Sequence, residues 1–100
     1  MMSRYPDPHA RLACALAGLV QGEIIESRQT PWASATFAGA RHHYVLRVQH
    51  PNHHGLDRLY EREFDLPGHI LADIVLSGKD NGTTGGIFTV EALTVEDARP

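Results

Sequence analysis

The sequence predicts an α+β fold: an N-terminal helix packed on one face of an antiparallel, mostly meander sheet of about six strands. Three observations carry that expectation. Apolar residues recur at helical spacing near the N-terminus, at Leu12, Leu16, Leu19 and Val20. From Glu23 onward, short runs rich in β-branched and aromatic residues follow one another between Gly, Pro and Asn turns. A helix followed by a series of strands, with no alternation of the two, places that helix on one face of an antiparallel sheet.

Pro6-Asp7-Pro8 reads as the helix start. Asp7 caps free amides, and Pro8 sits where its missing N–H costs nothing. Ala13 and Ala17 widen the apolar face, and Gly22 is the expected stop. The first strand is Glu23–Thr30, closed by Thr30-Pro31. Trp32–Ala38 and Arg41–His50 then flank Gly39-Ala40, a hairpin connection. Within Arg41–His50, Tyr44, Leu46 and Val48 point one way, and His43, Val45, Arg47 and Gln49 the other. Leu56–Leu66 alternates too, with Tyr60, Arg62, Phe64 and Leu66 opposite Asp57, Glu61, Glu63 and Asp65. Pro67-Gly68 matches the centre of a type II turn. His69–Ser77 and Ile87–Val95 form the last pair, joined by a glycine-rich stretch from Gly78 to Gly86. Leu71, Ile74 and Val75 also fit a helix, but the flanking turns and β-branched residues favour a strand.

One hundred residues, 42% apolar and 21% charged, make a single small globular domain (1–100) able to bury one core without disulfides. The net charge is −3 and the basic residues are scattered, so the positive field that nucleic acid demands is missing. Protonating all seven histidines moves the charge to +4, which makes any electrostatic partner sensitive to pH. The single cysteine, Cys14, excludes an intramolecular disulfide and fits a reducing compartment. Leu12–Val20 is short, follows Asp7 and two prolines, and contains Ala15-Leu16-Ala17 where a signal peptide would place it afterwards. No run approaches the ~20 apolar residues of a membrane span. A soluble cytoplasmic protein is expected.

Five of the seven histidines fall between residues 42 and 54. In an extended strand His42 and His50 lie about 26 Å apart, and His42 and His43 face opposite ways, so neither pair chelates one ion. His50, His53 and His54 share a loop with Asp57 as an oxygen donor, which makes them the metal-site candidate for zinc or another divalent transition metal. No cysteine assists, and the plain alternative is a hydrated turn. The Ser77–Gly86 stretch resembles a phosphate cradle only in composition: Lys79 precedes the glycines, and a strand follows where a helix is required.

No catalytic residues assemble. Cys14 lies within the helix and is expected to pack; the serines and threonines lack a nucleophile elbow. Asp73, among apolar neighbours, is a lone carboxylate without a placed partner. The strands, however, are apolar on both faces: Leu71 and Val75 oppose Ile70 and Ile74, Val45 opposes Leu46, and Leu93 and Val95 oppose Phe88, Val90 and Ala92. Such a second face marks an association surface, with Trp32 as an anchor, and a homodimer is the simplest result. The leading expectation is a non-catalytic binding or assembly domain that self-associates. Metal binding through His50, His53 and His54 is the alternative. A third is a small-ligand protein or enzyme whose pocket lies between helix and sheet and reaches Asp73, Tyr44 or Arg62.

Overall fold

The computed structural model describes residues 6–49, 53–82 and 85–97. Helix α1 spans Pro8–Val20, with the Asp7 carboxylate accepting the His9 amide at 3.0 Å as its cap. Leu12, Leu16 and Val20, one turn apart, are all buried. The helix closes at Gln21, which takes the left-handed conformation (φ 51°), while the Gly22 amide returns to the Ala17 carbonyl at 2.9 Å. Cys14 is in the helix as expected but exposed, not packed.

The sheet has four antiparallel strands, not about six: β1 Glu23–Ala33, β2 Ala38–Val48, β3 His69–Gly82 and β4 Gly85–Glu96, in the order β1-β2-β4-β3. Two expected strands merge because Thr30-Pro31 is no stop. β1 lies at the sheet edge, where a proline without an N–H is tolerated. The hairpin turn therefore falls at Ser34–Phe37, with the Phe37 amide on Ser34 Oγ at 3.0 Å, and Gly39-Ala40 lies inside β2. The last hairpin runs deeper than expected, pairing Gly82 with Gly85.

The expected strand Leu56–Leu66 does not form. The chain between β2 and β3 instead makes two 3-10 turns, His53–Leu56 and Leu59–Glu61, and then an extended segment. Its alternation misled because Tyr60, expected to face inward, is 74% exposed, whereas Leu56, Leu59 and Leu66 are buried. These three leucines join Leu12, Leu16 and Val20 against Tyr44, Leu46, Val48, Ile74, Phe88, Val90 and Ala92. Crossover and helix thus cover one sheet face together, tied by Arg11 to the Asp65 carboxylate at 3.0 Å. The route also means that the sheet is not a pure meander, since β4 inserts between β2 and β3. Pro67-Gly68 turns as expected, with Gly68 at φ 79° and the His69 amide on the Leu66 carbonyl at 2.9 Å.

β3 carries two irregularities, between Leu71 and Asp73 and between Leu76 and Gly78. They change the expected faces. Leu71, Ile74 and Leu76 pair in rows with Thr94, Ala92 and Val90 on the covered side, and Ile70, Asp73 and Val75 go to the open side. Both sheet edges are blunted, β1 by Pro31 and a shift at Ile24/Glu26, β3 by its two bulges. Among the described residues no helix is long and apolar enough to cross a membrane.

Candidate functional sites on the two sheet faces

On the covered face, α1 begins above a buried polar chain. His42 follows the inward parity of Tyr44, Leu46 and Val48, and is 1% exposed. Its Nε2 lies 2.8 Å from Thr94 Oγ1 on β4, and its Nδ1 lies 2.9 Å from His9 Nδ1 in the first turn of α1. The Ala40 carbonyl can only accept, and it takes the Thr94 hydroxyl at 3.5 Å. Thr94 Oγ1 then accepts from His42 Nε2–H, so that His42 Nδ1 accepts from His9 Nδ1–H. The chain runs in one direction and requires a neutral His42. Burial, reinforced by the neighbouring His9, holds the His42 pKa down to about 4, with Asp7 opposing and His69 adding a small push the same way. The His9 pKa is lowered as well, by burial against a raising influence from Asp7.

Tyr44 completes the cluster. Its ring stacks on His9 with centroids 4.7 Å apart, and its hydroxyl donates to the His9 carbonyl at 2.9 Å. Burial pushes the phenol pKa up, so it remains a donor. Replacing Tyr44 with Phe removes this bond alone; an expected loss of about 1 kcal/mol in chemical unfolding would measure it. The contact between His9 and His42 is a hydrogen bond and not metal ligation: two nitrogens on a tetrahedral zinc stand about 3.3 Å apart, given Zn–N distances near 2.05 Å.

His50 lies outside the described residues, while His53 and His54 begin the first 3-10 turn. Among the described residues no three His, Cys, Asp or Glu side chains come together to hold a metal. The expected pocket between helix and sheet is filled by core, with Tyr44 wholly buried. Arg62 and Asp73 do share a groove of about 720 Å³, but it runs along the β3 edge and excludes Tyr44.

The open face carries the second set of polar groups. Across β1-β2-β4-β3 the rows are Thr30–Arg41–Leu93–Asp73 and Arg28–His43–Glu91–Val75. These residues ring a shallow depression of about 390 Å³. His43 stands between Glu91 on β4 (Nδ1 to Oε1, 3.6 Å) and Glu26 on β1 (Nε2 to Oε2, 3.7 Å). Its Nδ1 is buried and has no hydrogen-bond partner among the described residues. Apolar residues surround the charges: Ile70 and Val75 are 49% and 45% exposed, and Val45, Ile87, Leu93 and Val95 are half-buried. Trp32 also lies here, but its indole N–H is engaged within the chain, on the Thr94 carbonyl at 3.3 Å.

His9 is absent from the sequence candidates, and His42 enters them only as a chelator that strand geometry rules out. The signal for His42 was its place on the core parity of β2; nothing nearby in sequence pointed to His9, 33 residues away. No family model, curated protein or solved structure matches the chain.

Proposed function

We propose that this chain is a non-catalytic assembly module that pairs with a second copy of itself through the open face of its sheet. The observation that carries the reading is an uncovered face holding six apolar side chains, two of them large and nearly half exposed. Helix and crossover both lie on the opposite side, and both edges are blunted, which leaves face-to-face contact as the route of association.

The area is adequate. Four strands about 4.8 Å apart and ten residues long at 3.3 Å give a face of about 600 Å², or roughly 1,200 Å² for two copies. That lies at the lower end of specific interfaces and fits a dimer of micromolar order. The covered-face cluster supplies rigidity here: it fixes α1 on the sheet behind the working surface.

Sedimentation analysis over a wide concentration range tests the reading. The expected result is a reversible monomer–dimer equilibrium, converted to monomer by I70K/V75K, whose unfolding stability at concentrations where the parent is monomeric is within about 0.5 kcal/mol of the parent, since both positions are exposed and lie beside Asp73 and Glu91. A strict monomer at millimolar concentration would remove the proposal.

A further inference from the structure

We infer that the open face is self-complementary in charge under a two-fold axis running along the strands between β2 and β4, so that Arg28 and Arg41 of each copy meet Asp73 and Glu91 of the other. The inference rests on the self-association proposed above and adds its arrangement and its specificity residues.

The open face is divided in charge. In its two central rows β1 and β2 contribute Arg28 and Arg41, while β4 and β3 contribute Glu91 and Asp73; Glu26 of β1 lies one row further on, against His43. All four are exposed, so none is consumed by the core. Two sheets packed face to face with closed symmetry have two simple choices, an axis along the strands or one across them. An axis along the strands lays β1 over β3 and β2 over β4. Arg41 then faces Leu93, Arg28 faces Val75, and each guanidinium has Asp73 and Glu91 of the second copy as diagonal neighbours. Thr30 faces Asp73, and His43 faces Glu91. An axis across the strands through the same row lays each strand on itself. It sets Arg28 on Arg28 and Glu91 on Glu91.

The first choice opposes unlike charges and the second opposes like charges. Ion pairs at an interface offset their own desolvation only in part, so their main effect is on which arrangement is accepted. Like charges face to face exclude the alternative, and the pairing becomes specific. The depression at the centre of each face gives the long arginine side chains of the other copy somewhere to lie. Their aliphatic stems would cover Val75 and Leu93 while the head groups reach the carboxylates.

Charge reversal within one chain tests the axis. In R28E/R41E all four central charges become negative, and the dimer is expected to weaken about ten-fold or more. In R28E/R41E/D73R/E91R the pattern is inverted but complementary again, and affinity is expected to return. Sedimentation of the parent at rising salt provides a readout independent of any variant's folding: opposed unlike charges weaken with salt, and opposed like charges strengthen. A dimeric parent whose R28E/R41E variant pairs equally well, whose fourfold variant is not restored, or whose affinity rises with salt overturns this arrangement while self-association stands. A monomeric parent overturns both.

Discussion

Between pH 6.5 and pH 4 the folded state is expected to lose about 3 kcal/mol of stability through His42 alone. The folded pKa is about 4 against an ordinary 6.5. Below pH 6.5 the unfolded chain therefore takes up a proton that the folded chain refuses. Stability from this group is complete above pH 6.5, declines through the window, and levels off below pH 4. Protonation fails in the folded state for a definite reason. Burial of the imidazole is the main cause, reinforced by the adjacent His9 ring, and Asp7 offsets it only in part. Denaturant unfolding at a series of pH values measures the effect, and its difference between wild type and H42Q isolates it from the other histidines. A wild-type profile parallel to that of H42Q would contradict a buried imidazole held neutral in the folded state. The His9 pKa is lowered too, by burial against the opposing Asp7, so His9 adds to the loss in acid.

The Gly39→Ala substitution is expected to cost about 3 kcal/mol, a large effect for one methyl group. A Cβ at Gly39 would collide with the Thr94 carbonyl oxygen, which is backbone and cannot swing aside, and would also stand 3.0 Å from Trp32 Nε1. Relief requires β2 to separate from β4 at this point, and the Trp32 indole, which donates to the same carbonyl, must shift as well. Both movements reach Thr94, whose hydroxyl supports His42 on the other face. A red shift of tryptophan fluorescence should therefore accompany the loss, and the acid transition should move toward neutral pH. Trp32 is the sole tryptophan, so the signal is unambiguous.

The legible parts of this fold were those whose period is regular. Helix α1 declared itself by Leu12, Leu16 and Val20, and the faces of β2 and β4 followed strict alternation from Ala40 to Val48 and from Phe88 to Thr94. What failed was punctuation and count. Pro31 reads as a stop until β1 is known to be an edge, and edge position is a property of the whole sheet. The first bulge of β3, between Leu71 and Asp73, moves Asp73 and Val75 to the face of Ile70, and no local pattern announces an extra residue. The crossover showed the reverse error: Tyr60, Phe64 and Leu66 alternate well, but the burial that matters follows Leu56, Leu59 and Leu66. The apolar character of both faces was visible early. The polar chain was not, because it joins a helix to two strands that only tertiary packing brings together.

The strand order has a consequence for how the chain acquires its shape. β4 is the fourth strand in sequence, yet it stands between β2 and β3 and hydrogen-bonds to both. A nascent chain that has emerged through residue 82 holds one hairpin, a helix and a solitary β3, with no continuous sheet for Leu12, Leu16 and Val20 to settle on. The core closes when Gly85–Glu96 threads between its neighbours, bringing Thr94 to His42 in the same event. Such late, non-local pairing makes for slow and cooperative folding. Until then, Tyr44, Leu46 and Val48 on the core face of β2 lack the β4 neighbours that complete their cover, which makes the half-made protein more dependent on protection from aggregation than its small size suggests.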